Sequence, residues 1–149
     1  EVYLWHGCSA DVVAPITVDG FDERFSGSSC LSSNGIRFTP QACEAVRHAR
    51  AADCTIVNNR CGSKYCRCPG PKYLFYTRVC LGVPFYPQGP ARDLRRPPGR
   101  VAPDGAELSH SVVVNPGVRI DGASHGRQEH RECVVWNHVG MPAYPEYIA

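Results

Sequence analysis

Apolar positions in this chain fall in short dense blocks separated by stretches of Gly, Pro and Ser, a pattern that favours strands over long helices. Val2-Tyr3-Leu4-Trp5 is the first block and reads as a short strand ending at His6-Gly7. Behind it, Ser9 can cap a helix carrying Val12, Val13 and Ile16, shortened or kinked by Pro15 and stopped by Gly20. Residues 22 to 35 are small and polar and read as a loop before the brief strand Gly35-Ile36-Arg37-Phe38. Thr39-Pro40 is a helix start, because Thr caps and Pro at the first helical position sacrifices no hydrogen bond; the helix is predicted to run to about Ala52.

The densest block, from Tyr73 to Leu81, predicts the longest strand, closed by Gly82 and Pro84. Residues 86 to 110 are rich in proline and read as a surface excursion without a regular element. Ser111 to Val114 is another short strand, and a Gly-rich loop from 115 to 127 follows it. Glu132 then heads the β-prone run Cys133-Val134-Val135-Trp136, and a turn leads to a last strand from Ala143 to Ile148. Strands outnumber helices and nothing alternates as βαβ units would. The fold class is therefore α+β with mainly antiparallel sheet, in one domain spanning residues 1–149.

Composition narrows the picture. Hydrophobic residues at 43% and charged residues at 20% describe a soluble globular protein large enough to enclose a core. The net charge of +2 argues for neither a nucleic-acid nor a membrane partner, and the basic cluster from Arg92 to Arg100 is cut by two prolines. No window approaches the roughly 18 apolar residues of a membrane span, and the first residues do not form a secretory leader, so an intracellular protein, nuclear or cytoplasmic, is expected.

Nine cysteines are many, and an odd number cannot all pair within one chain. Cys80 and Cys133 fall in strand-like runs and read as small buried hydrophobes. Cys54, Cys61, Cys66 and Cys68 crowd into one segment, where four thiolates could enclose a structural Zn2+. They lack a Cys-x-x-Cys pair, so unligated thiols or disulfides are the competing readings.

Six motifs carry chemistry when taken in order. They are Leu4-Trp5-His6-Gly7, Gly20-Phe21-Asp22-Glu23-Arg24, and Gly35-Ile36-Arg37-Phe38 with Gln41-Ala42-Cys43. After these come Arg78-Val79-Cys80-Leu81-Gly82, then Arg95-Arg96-Pro97-Pro98 before His110-Ser111-Val112, and finally Glu132 to Trp136 with Ala143-Tyr144-Pro145-Glu146-Tyr147. Each is common by itself; in this order they resemble the catalytic domain of poly(ADP-ribose) polymerases, from residue 2 to residue 148.

That resemblance implies the ADP-ribosyltransferase fold, two small sheets around a cleft for NAD. The implied activity is a pentosyl transfer that moves ADP-ribose from NAD to an acceptor and releases nicotinamide; a protein acceptor is expected and a nucleic-acid acceptor stays open. Carried over position by position, His6 would hydrogen-bond the adenine-side ribose and the Gly7 backbone would clasp the carboxamide. Glu132 would be the catalytic carboxylate, and the loop from Asp22 to Asn34, with Arg24, would wall the donor site. Cys8, Gly35, Arg37, Ala45 and His48 occupy the family's other NAD-binding positions, and tankyrases, one branch, carry a zinc insert where Cys54 to Cys68 lie. The chain departs from the pattern at Arg37, where the family has a pocket Tyr, at His48, where it has a second one, and at Ala45 and Cys8, which replace hydroxyl residues. A fixed cation at Arg37 would repel the pyridinium of NAD, so the alternatives are a weakened enzyme, an inactive NAD or ADP-ribose binder, or a zinc-stapled interaction module.

Overall fold

A computed structural model gives the fold for residues 1–26, 34–52, 54, 66, 68–91, 94–102, 105–119, 126–137 and 143–149, with backbone alone at 100–102 and 105–108. Among the described residues, nine strands and two short helices are arranged as α+β: β1 (Val2–Cys8), α1 (Val13–Asp19), β2 (Ile36–Phe38), α2 (Ala42–His48), β3 (Tyr73–Val79), β4 (Pro84–Phe85), β5 (Gly99–Ala102), β6 (Gly105–Leu108), β7 (Ser111–Val114), β8 (Glu132–Val135) and β9 (Ala143–Ile148). One sheet has the order β1-β3-β9 and is antiparallel throughout. The other has the order β2-β8-β7-β4, antiparallel except for the parallel β4–β7 pair, and β5 and β6 form a separate hairpin.

The main core lies between the two sheets. Leu4, Phe75 and Val79 from the first sheet meet Ile36, Phe38, Val113, Cys133 and Val135 from the second in one buried cluster. The opposite face of the second sheet is covered as well: Val112, Val114, Val134 and Trp136 pack beneath Phe85, Leu94 and Val118. Burial on both faces explains why β7 and β8 read as unbroken Val runs and not as alternating patterns. Trp136 is fully buried, and its indole N–H donates to the Asn34 carbonyl at 3.0 Å. On the outer face of the first sheet, Ala45 of α2 and Ala49 just beyond it pack against Leu74 and Trp5.

Several expectations are corrected. β1 runs one residue past its expected end at His6-Gly7, its ladder with β3 continuing through His6–Phe75, Gly7–Leu74 and Cys8–Tyr73. α1 is preceded by a 3-10 turn (Ala10–Val12) whose Ser9 makes no side-chain capping bond, and Gly20, at φ 82°, ends it as predicted. α2 is shorter than predicted at both ends. Thr39 exchanges both backbone bonds with Trp5 and is locked extended, so Pro40 does not begin the helix. At the other end, Arg50 N–H bonds the Cys8 carbonyl, which draws the chain off the helix axis. The proline-rich stretch contains the β5–β6 hairpin. Cys80 is only half-buried, with its thiol on Glu1, whereas Cys133 is buried as expected. The terminal strands β8 and β9, adjacent in sequence, belong to different sheets. No helix among the described residues is long and apolar enough to cross a membrane.

Candidate active site

Register brings the two ends of the chain together. β2 pairs with β8 so that Phe38 faces Cys133, which puts Thr39 at the level of Glu132. On its other side Thr39 bridges Trp5, with Trp5 N–H to Thr39 O at 2.8 Å and Thr39 N–H to Trp5 O at 2.9 Å. The short strand β2 therefore links the His6-Gly7 motif to the Glu132 motif. Beyond the bridge a cleft opens, lined by His6, Gly7, Arg37, Ala45, His48 and Glu132, six of the positions singled out in the sequence.

His6 reaches across this cleft, its Nδ1 lying 2.8 Å from the Arg37 carbonyl oxygen. A carbonyl only accepts, so Nδ1 carries the proton and Nε2 of the neutral ring is an acceptor. Burial lowers the His6 pKa to about 4; the bond to the Arg37 carbonyl opposes this, and the charges of Arg37 and His48 add to it. The ring packs against Phe21 and Phe38, which fixes its orientation. The result is a neutral ring whose Nε2 can accept a hydrogen bond.

The Gly7 peptide groups point into the cleft. Peptide groups two residues apart on a strand face the same way, and those of Trp5 face Thr39. Leu74, the partner of Gly7 on β3, spends its own N–H and C=O on Ala149. Gly7 thus turns a donor and an acceptor toward the side where Arg37 stands, two residues along from the Trp5–Thr39 bridge on each strand. A side chain there is excluded: a Cβ at Gly7 would lie 1.9 Å from the Ala45 carbonyl oxygen.

Glu132 is 9% exposed, held at the head of β8 opposite Val114. Its Oε2 lies 4.0 Å from Arg37 Nη1, the outer limit of an ion pair. On α2, Glu44 accepts from Arg47 at 2.9 Å through Oε2, pairs with His48 at 3.2 Å through Oε1, and has His130 at 3.5 Å. The His48 pKa is lowered, chiefly by burial and then by Arg37, while Glu44 and Glu132 act in the opposite sense. Glu44, Gln128 and Arg131 also line the cleft and were not singled out in the sequence. Glu44 could have been found from its i,i+4 spacing with His48; Gln128 and Arg131 sit on an irregular segment with no periodicity to mark them.

Four predicted donor residues lie outside this lining. Cys8 is 6% exposed in the main core, and burial, helped by Asp11, raises its thiol to about 11. Asp22 and Arg24 engage each other, with Arg24 Nη2 2.6 Å from Asp22 Oδ2, and Asp22 also caps the 3-10 turn Glu23–Phe25 by accepting from Arg24 N–H. Gly35 serves packing: a Cβ there would stand 2.6 Å from Val134 Cγ1 and 2.8 Å from Trp136. The rest of the predicted donor wall, residues 27–33, lies outside the described residues.

The cysteine segment gathers three of its four predicted ligands. The Sγ atoms of Cys54, Cys66 and Cys68 lie within 4.8 Å of one another, with Cys68 and Cys54 at 3.6 Å. A tetrahedral zinc with sulfur at about 2.3 Å sets its thiolates about 3.8 Å apart, so the donor set and spacing fit. Cys61 lies outside the described residues, and no disulfide joins any of the described cysteines.

Fold and site together define an α+β protein with a cleft that carries charged side chains where its two main sheets meet. No protein-family model matches the chain, and no curated protein matches it.

Proposed function

We propose that the chain is an ADP-ribosyltransferase that uses NAD as donor. The observation that carries this reading is the meeting of His6-Gly7 with Glu132 in one cleft through β2. The coarse architecture, two small, mostly antiparallel sheets with few helices, is the one such a transferase requires. In this reading His6 Nε2 accepts from the adenosine ribose, while Gly7 N–H and C=O bind the carboxamide. The glycosidic bond between the ribose anomeric carbon and the pyridinium nitrogen breaks, and its electron pair leaves with nicotinamide. Glu132 holds the ribose hydroxyls and stabilises the cation-like sugar until the acceptor oxygen bonds to it and gives up its proton.

A second reading is favoured by the Arg37–Glu132 contact, which engages the carboxylate that catalysis needs. Under it the chain binds NAD or ADP-ribose without turnover. Separately, the three clustered thiolates support a structural Zn2+ that staples the segment between α2 and β3, whichever reading of the cleft holds.

NAD labelled in its adenylate half tests the transferase reading. Label on the protein together with nicotinamide release is expected, and Glu132→Gln should lower both by about a hundredfold or more. Binding with neither product would leave the binder reading, and no binding would sink both.

A further inference from the structure

Arg37 lines the cleft with its guanidinium largely unengaged. Its side chain is 26% exposed, yet among the described residues no acceptor lies within hydrogen-bond distance of its guanidinium; its one ion-pair contact is Glu132 at 4.0 Å. Five N–H donors in a planar fork are therefore held in a partly desolvated site beside Gly7. Buried donors are ordinarily paired, and a guanidinium fork matches a planar carboxylate best.

We infer that Arg37 is an anion receptor, and that the donor selected by this cleft is a dinucleotide whose pyridinium carries a carboxylate, deamido-NAD, in preference to NAD. The inference rests on the reading of the cleft as a donor site. A ring substituent held by the Gly7 N–H lies on the side of the cleft where Arg37 stands. With a carboxamide there, the guanidinium meets only the positive ring and is repelled by it. With a carboxylate there, one oxygen accepts from Gly7 and the other from Arg37, and the ring charge is offset within the ligand. The Gly7 carbonyl loses the amide donor and turns to water. That loss is one neutral hydrogen bond, whereas the gain is charge-assisted and about twice as strong. The chemistry balances as for NAD: the C–N glycosidic bond breaks, the pair goes to the ring nitrogen, and the leaving group is nicotinate. The acceptor oxygen bonds to the anomeric carbon and releases its proton to solvent.

Dissociation constants and release of the free pyridine base are measured for NAD and deamido-NAD in parallel, on the wild-type chain and on Arg37→Tyr and Arg37→Met. The expected result is a preference of about tenfold or more for deamido-NAD in the wild type, in binding or in kcat/KM, that is lost or inverted in both variants. Equal use of the two donors, a preference for NAD, or a preference for deamido-NAD that persists in the folded variants would overturn the inference and leave the transferase reading standing. If neither dinucleotide is bound or split, both fall. Should neither variant fold, the wild-type ratio decides alone.

Discussion

His6 shows how much one side chain commits. From sequence it is a strand-end histidine in a resembling motif; the bond from its Nδ1 to the Arg37 carbonyl turns it into a neutral ring with a defined acceptor. Its pKa of about 4 lies below the ordinary 6.5, so between those values the unfolded chain takes a proton that the folded chain refuses. Stability is therefore complete above pH 6.5 and falls as pH drops toward 4, by at most about 3 kcal/mol from this residue. Urea unfolding at a series of pH values should show that loss, and His6→Gln should flatten it, leaving the smaller contribution of His48, whose pKa is lowered in the same direction. An unchanged slope in the variant would show that the ring is not held neutral by the fold. Residue identity was the legible part of the site, because His6, Gly7 and Glu132 stand in recognisable strings. Cys8, Asp22 and Arg24 stand in the same strings, but burial claims the thiol and the carboxylate and guanidinium claim each other.

At the scale of elements, the decisive fit is between β1 and α2. The Ala45 carbonyl lies so close to Gly7 that α2 sits directly on the strand, and Ala45 and Ala49 pack on Leu74 there. Gly7→Ala must push α2 outward, because the obstacle is backbone, not a flexible side-chain end. The expected cost is about 1–3 kcal/mol in denaturant unfolding, with donor binding lost through displacement of His48 and Glu44. A variant as stable as wild type with the same affinity would contradict this packing. The strands of the two sheets were readable from their dense apolar blocks, except the two-residue β4, whose Pro84 reads as the end of the strand before it. The ends of α2 were not, because they are set by long-range backbone bonds, Thr39 to Trp5 and Arg50 to Cys8, that leave no local mark in the sequence. The same holds for the β5–β6 hairpin, hidden among prolines that usually signal irregular chain.

In the whole molecule, two sheets enclose one core, and the motifs at the ends of the chain meet because β2 pairs with β8 while Thr39, just beyond β2, bridges Trp5 of β1. Local patterning indicated mainly antiparallel sheet but neither the number of sheets nor their strand order, and β8 and β9, successive in the sequence, lie in different sheets. The segment between α2 and β3 is tied at its base by Ala52 N–H to the Pro71 carbonyl, and its three gathered thiolates fit a metal staple. Purified protein should carry about one equivalent of zinc, and a chelator or Cys66→Ser should lower Tm by several degrees. Metal-free protein indifferent to chelator would remove the staple and leave the cleft reading untouched. That cleft reading is the central claim, and the structure of the protein with a non-hydrolysable NAD analogue tests it most directly. The account predicts the pyridine ring beside Gly7, its carboxamide on the Gly7 N–H and C=O, and its ribose against Glu132; an analogue bound elsewhere, or not bound at all, would contradict it.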